Sequence, residues 1–516
     1  MGWIKAWADS LAIILAMHLA PHASAEEENR FWQDEIIYFI MVDRFHNGDT
    51  SNDYAVDPHN PGSYHGGDFA GIAEKLDEIK DMGFTAIWLT PIFDNENGGY
   101  HGYWINDFYN TEEHFGTLEE FKALVQEAHE RDIKVILDFV VNHVGVNHPW
   151  QNDPNKESWF HPAKEVVRWN SIRDLENGWI YGLPDLAQEN PDVKKYLMDA
   201  AKWWIEETDI DGYRLDTVKH VPVEFWKEFS KEVKSVKKDF FLLGEVWFER
   251  PEQIARYDET GIDVFADFPL NKPLRDVFYK PDRSLASLFG MWEKNKEVYR
   301  NPELLGAFID NHDMKRFVSG MPADEEKRAV RWKLALAYLY GQPEIPIIYY
   351  GSEIAMDGAD DPDNRRMMEF NIDHEVRGYI AKLGAIRQKE KALTRGTMKL
   401  LHEAEGMAVF KREYKGETVV VAINNSSERR EVSLPTAELG NREVLRSLLA
   451  MGDIKQAKGN IQISLEAESA DMYKAEDAPR SFIAVSAIVM AAVLFMLFIF
   501  WRRGFSLSSL WRKDRV

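Results

Sequence analysis

The stretch LEEFKALVQEAHERDIKVILDFVVNH, residues 118–143, decides the fold class. Its first part, 118–132, spaces apolar residues as an amphipathic helix does, whereas KVILDFVV (134–141) is a short apolar β-rich run. The same alternation recurs on both sides. Apolar runs lie at IIYFIMV (36–42), AIWLTPI (86–92), DGYRLD (211–216), FFLLGEVW (240–247), LGAFID (305–310) and IPIIYYG (345–351). A second helical pattern, VPVEFWKEFSKEVKSV, fills 221–236. Strand and helix signals alternating over this length predict an α/β protein with a parallel sheet, closed as a (β/α)8 barrel across 26–393. After strand 3 the rhythm breaks, and 144–190, rich in Trp, Asn and Pro, is expected as a short inserted loop domain. Beyond Leu393 the period changes to two, which predicts an all-β sandwich domain over 394–464 and an acidic linker over 465–480.

Composition narrows the chemistry. The 516 residues carry 62 Lys+Arg against 86 Asp+Glu, a net charge of −24, and no cysteine. An acidic surface excludes a nucleic-acid groove, and the missing thiols exclude disulfides, thiolate catalysis and cysteine-bound metals. No G-x-G-x-x-G follows the first strand, which speaks against a dinucleotide site.

The two ends carry a further expectation. Residues 1–25 have Lys5, a largely apolar run Leu11–Ala20 and the small-x-small sequence Ala23-Ser24-Ala25, the pattern of a signal peptide. FIAVSAIVMAAVLFMLFIFW (482–501) holds no charge and is followed by Arg502, Arg503, Arg512, Lys513 and Arg515. A transmembrane helix over 481–501, a basic cytoplasmic tail over 502–516 and an extracellular catalytic domain at the cell membrane are therefore expected.

Barrel enzymes hold their reactive groups at the C-terminal ends of the strands. Four ends are polar: Asp138 with Asn142-His143, Arg214-Leu215-Asp216, Gly244-Glu245, and Asp310 through Asp313. Three carboxylates and a strand-end arginine suit glycoside hydrolysis with retention, in which one carboxylate attacks and another, about 5 Å away, supplies and recovers a proton. Arg214 precedes Asp216 by two residues, so both face one side of the strand, and the guanidinium is expected to hold Asp216 ionised. Glu245, between apolar neighbours, is expected to have a raised pKa.

These segments resemble the signature regions of the α-amylase superfamily of retaining glycoside hydrolases. DFVVNH (138–143), GYRLDTVKH (212–220), GEVW (244–247) and FIDNHD (308–313) match its four central motifs in order, with GFTAIWLTP (83–91), LPDL (183–186) and PEIPIIYYGSE (343–353) beside them. The resemblance implies Asp216 as nucleophile, Glu245 as acid/base and Asp313 as the third carboxylate. It implies that His143, His312 and Arg214 surround the cleavage point, and that Tyr103 of HGYW (101–104) stacks beneath the reacting sugar, with Trp104 beside it. Asp361 and Arg365 of DPDNR (361–365) would reach donor-side hydroxyls, and Lys219 and His220 would lie on the leaving-group side. It also implies calcium, held by Asn142, Asp185 and the His220 carbonyl. A second oxygen-rich stretch, HNGDTSND (46–53) with HGGD (65–68), resembles a further calcium site built from Asn47, Asp49, Asn52, Asp53, the Gly66 carbonyl and Asp68; an Asx-rich turn cluster is the alternative. LPDL is followed by Ala187, where many members carry Asp or Asn. The implied protein is a monomer that cleaves internal α-1,4 bonds of starch, glycogen or maltodextrins. The alternatives are a transglycosylase or maltooligosaccharide/cyclodextrin hydrolase on the same site, or a non-catalytic transporter-associated scaffold.

Overall fold

Eight short parallel strands, nearly all buried, form the central sheet of the computed structural model: β1 (Ile37–Ile40), β2 (Ala86–Leu89), β3 (Lys134–Phe139), β4 (Gly212–Leu215), β5 (Phe241–Gly244), β6 (Val264–Phe265), β7 (Gly306–Phe308) and β8 (Ile345–Tyr349). The structure describes residues 30–449 and 452–478, with positions 495, 498, 499 and 502. Strand order is β6-β5-β4-β3-β2-β1-β8-β7, and a parallel bridge from Ala266 to Gly306 joins the two outer strands into a barrel. Strands covered on both faces need continuous apolar sequence, which is why these runs do not alternate. The helix Leu118–Glu130 begins at Thr117 in a capping box with Glu120 and turns Phe121, Leu124, Val125 and Ala128 onto the barrel. Val223–Val236 follows Pro222 without a side-chain cap and buries Phe225, Trp226, Phe229 and Val233.

After β3 the chain makes the expected excursion, tied back to the end of β3 by a bridge from His143 to Asp185 and closed on itself by one from Phe160 to Leu186. The excursion has an apolar centre of its own, in Val166, Leu175, Ile180 and Leu183.

The C-terminal domain contains β9 (Thr397–Ala404), β10 (Met407–Tyr414), β11 (Glu417–Asn424), β12 (Arg430–Pro435), β13 (Val444–Ser447), β14 (Ile454–Lys455), β15 (Asn460–Leu465) and β16 (Ser469–Glu476). Six of them form one antiparallel sheet, β9-β10-β11-β16-β13-β14, and β12 pairs with β15. The expected acidic linker at 465–480 is thus corrected. Ser469–Glu476 lies between β11 and β13 as an inner strand, with Asp471, Met472, Tyr473 and Ala475 buried. Its acidic residues are accommodated individually: Asp471 accepts hydrogen bonds from Ser447 Oγ at 2.8 Å and Leu449 N at 3.2 Å.

The expected membrane placement is also corrected. Among the described residues no helix is long and apolar enough to cross a membrane. The signal segment 1–25, nearly all of the span 481–501 and nearly all of the tail 502–516 lie outside the described residues.

Candidate active site

At the C-terminal end of the barrel, Arg214 organises three carboxylates. Asp138 and Arg214 are direct neighbours across β3 and β4, and the guanidinium donates to both Asp138 oxygens at 2.9 Å. It also meets Asp216 Oδ1 at 2.8 Å and Glu245 Oε2 at 2.9 Å. The carboxylates are held from other directions as well. Tyr103 Oη donates to Asp138 Oδ2 at 2.7 Å, and Thr217 Oγ1 donates to Asp216 Oδ2 at 3.0 Å. The Thr217 amide donates to Glu245 Oε2 at 2.9 Å. Thr217 adopts a left-handed backbone (φ 47°), a conformation costly for a β-branched residue, and there it bonds both carboxylates at once.

Tyr103 depends on the glycine before it. Gly102 has φ 91°, and a Cβ there would lie 2.1 Å from the Pro91 carbonyl oxygen. The Tyr103 ring stacks on His312 at 5.2 Å with 5° between planes. Arg365 Nε donates to the His312 carbonyl at 2.9 Å, and the guanidinium also meets Asp361 at 3.1 Å and Asp313 at 3.4 Å. Asp216 and Glu245 are buried, whereas the Asp313 side chain is 29% exposed and opens into the cleft.

Burial sets the protonation of this group. It raises Glu245 to about 7 against the pull of Arg214, with Asp216 and Asp313 adding to the rise. It also raises Asp216, so the expectation that Arg214 holds that residue ionised by lowering its pKa is corrected: desolvation outweighs the guanidinium and the Thr217 hydrogen bond. Asp138 is pushed up to about 7 by burial in the same way. His143 falls to about 4 and His312 well below its usual value, again by burial, so both present neutral rings to a substrate.

The cleft above these groups encloses about 500 Å³. Tyr103, Trp104, His143, Lys219, His220, Asp361 and Arg365 all line it. Arg214 lies below, in the floor. A buried acid and a partly buried carboxylate at an arginine, open to a cleft walled by aromatic and neutral polar groups, can transfer protons and make a covalent bond to a neutral, hydroxyl-rich molecule.

Residues 39–382 match the α-amylase catalytic domain, and 396–473 match the α-amylase C-terminal domain. The chain belongs to the α-amylase family of glycoside hydrolases. A solved Anoxybacillus α-amylase superposes with a TM-score of 0.85 at 57% identity, covering 87% of this chain and 100% of that one. A cyclomaltodextrinase of Thermoanaerobacter pseudethanolicus is 34% identical over 469 residues, 86% of this chain and 77% of the relative. A β/α-amylase of Paenibacillus polymyxa is 36% identical over 467 residues, and there the chain spans 38% of the relative's length.

The α-amylase-family frame also locates the oxygen clusters. Asn142, Asp185 and His220 do converge: the Asn142 amide oxygen faces Asp185 Oδ1 and the His220 carbonyl, each at 3.1 Å, without a donor between them. Three facing oxygens suit a hard cation, although rotating the amide would also satisfy them as hydrogen bonds. In the second cluster Asn47 Nδ2 donates to Asp53 at 2.8 Å, and the Oδ1 atoms of Asn47 and Asn52 are buried without a hydrogen-bond partner. Gly66 lies against Asn47 and Asp53. Asp49 and Asp68 are engaged otherwise. Asp49 accepts from Ser51, and Asp68 accepts from Gly71 N at 2.6 Å as the N-cap of Phe69–Asp81. The donor set therefore fits a cation at the first cluster, and at the second only through Asn47, Asn52, Asp53 and Gly66.

Several cleft and support residues lie outside the sequence prediction: Asp138 as a direct partner of Arg214, Thr217 as a double donor, and Trp169, Tyr181 and Trp247 in the cleft wall. Asp138 carried a signal, since it interrupts an apolar run one strand before Arg214. Trp169 and Tyr181 carried none, because an isolated aromatic in a loop looks the same whether buried or exposed.

Proposed function

We propose that this glycoside hydrolase cleaves internal α-1,4-glucosidic bonds of starch, glycogen or maltodextrins with retention of configuration. The observation that carries the reading is the shared contact of Arg214 with Asp216 and Glu245 on the cleft floor, one guanidinium holding two acids side by side. Glu245, protonated below about pH 7, gives its proton to the glycosidic oxygen as the C1–O bond breaks. An Asp216 carboxylate oxygen bonds to C1, forming a glycosyl ester. Glu245, now a carboxylate, takes a proton from water as the water oxygen bonds to C1 and Asp216 leaves. Asp313, tied to Arg365 at 3.4 Å, faces the cleft where sugar hydroxyls would lie.

The test is proton NMR of maltoheptaose with the full chain. Early α-anomers among a spread of shorter chains support the reading. Early β-anomers, release of a single end product, or no reaction with folded protein would reject it.

Calcium belongs to the same proposal. Asn142, Asp185 and the His220 carbonyl would hold it, joining the segments after β3 and β4 to the excursion; its role there is structural. An ion bound only to the folded chain stabilises it by about 2.7 kcal/mol at 100 times its dissociation constant. Excess chelator should therefore lower Tm by several degrees, and an unchanged melting curve would reject the site.

A further inference from the structure

One buried arginine stands directly behind the site without entering it. Arg44 is shut off from solvent, and its charge is answered by Asp43 beside it. The guanidinium also donates to two carbonyls of one loop, Ser63 at 2.9 Å and Pro61 at 2.7 Å. Its central carbon lies 3.9 Å from the centre of the Tyr100 ring. A guanidinium out of water is drawn to the negative face of an aromatic ring, and burial strengthens that attraction.

Tyr100 is buried as well, and it closes a circuit of contacts. Its hydroxyl accepts from Arg365 Nη1 at 3.4 Å. Arg365 Nε donates to the His312 carbonyl at 2.9 Å, and the His312 ring stacks on Tyr103 at 5.2 Å. The Tyr103 amide donates to His101 Nδ1 at 3.1 Å, and the His101 ring meets Tyr100 at 5.2 Å with 69° between planes. The segment carrying Arg365 also returns to Arg44, whose carbonyl accepts from Met368 N at 2.8 Å. Arg44 therefore holds the circuit at two points. Tyr103, His312 and Arg365 line the cleft, whereas Arg44 and Tyr100 stand behind its wall.

The contacts of Arg365 are graded. It holds the His312 carbonyl at 2.9 Å and Asp361 at 3.1 Å, but Tyr100 and Asp313 at 3.4 Å each. A contact of that length is near the limit of a hydrogen bond, so a slight shift of the guanidinium decides whether Asp313 is held. We infer that Arg44 and Tyr100 are positioning residues for the cut: Arg44 braces the Tyr100 ring, and the Tyr100 hydroxyl fixes how far Arg365 reaches toward Asp313. The inference rests on the glycosidase reading above, in which Asp313 faces sugar hydroxyls. Both residues act through Arg365, and a misplacement of about 1 Å at a reacting centre costs up to about 100-fold in rate.

The full chain is assayed on maltoheptaose, with rates taken per folded enzyme. Tyr100→Phe keeps the ring against Arg44, loses only the hydroxyl, and should lower kcat/KM about fivefold. Tyr100→Leu and Arg44→Lys should each lower it about tenfold, since leucine offers no ring and an ammonium cannot lie flat on one. A cycle with Arg365→Lys tells a brace from a general loosening. If the hydroxyl acts through Arg365, Tyr100→Phe costs less than about twofold in that background, whereas an effect exerted elsewhere multiplies in full. Tyr100→Phe within twofold of the unaltered enzyme, or full multiplication in the cycle, overturns the brace. Tyr100→Phe decides the matter even where the larger substitutions do not fold. An unaltered enzyme inert on maltoheptaose would reject the glycosidase reading itself and the brace with it.

Discussion

Two groups of buried carboxylates occupy this barrel, and they are treated differently. Asp138, Asp216 and Glu245 surround one guanidinium at the cleft floor. Asp267 and Glu344 meet without a side-chain ion pair, sharing the amide of Asn295 at 2.7 and 3.1 Å, while Arg387 donates to the Glu344 carbonyl at 2.8 Å and Asp267 caps the helix Phe268–Phe278. Burial raises Asp267 to about 6 and Glu344 well above its usual value. Buried acids are therefore not by themselves a sign of chemistry. Burial raises the acids of both groups, and what differs is the partner: a guanidinium at the floor of an open cleft in one, an asparagine amide and a helix cap inside the barrel in the other.

The largest effect that tests this contrast is on rate. Asp216→Asn and Glu245→Gln should each lower kcat on the order of 10⁴-fold while the protein melts as before. The kcat/KM of the unaltered enzyme should fall as pH rises through about 7, where Glu245 gives up its proton. An alkaline limb that persists in Glu245→Gln would separate that limb from this residue.

Next in size is Arg214→Met, which strands three carboxylates. Unfolding in urea at pH 7 should show a loss of about 3–5 kcal/mol, shrinking in acid as the carboxyls protonate. Smallest is Glu344→Gln, expected within about 1 kcal/mol at pH 5. A carboxyl whose folded pKa is raised favours folding below its unfolded pKa, near 4, and loses that contribution as pH rises towards the folded value. The amide has no proton to lose, so Glu344→Gln should flatten the fall in stability on the alkaline side. A loss as large as that of Arg214→Met at pH 5 would erase the distinction.

The barrel was legible because most of its strands are apolar runs ending in polar groups, and seven of them are visible by eye. β6 was not, since two residues between Asp263 and Asp267 carry no period. β16 is hidden because SADMYKAE looks solvated by composition; only pairing with β11 and β13 brings Asp471 to donors inside. In the site, the spacing of Arg214 and Asp216 gave the shared face. Which carboxylates reach the guanidinium depends on register across β3, β4 and β5, a property of neighbouring strands that no single segment encodes.

That register has a consequence for how the protein is made. β1 pairs with β8, Ile37 opposite Ile347, and β11 pairs with β16, Val421 opposite Met472. A chain emerging from the ribosome cannot close its barrel until its eighth strand is out, nor complete its second sheet until Ser469–Glu476 follows. Until then the apolar edge of β1 is uncovered, and a nascent chain stalled before residue 345 should bind holding chaperones and resist protease poorly.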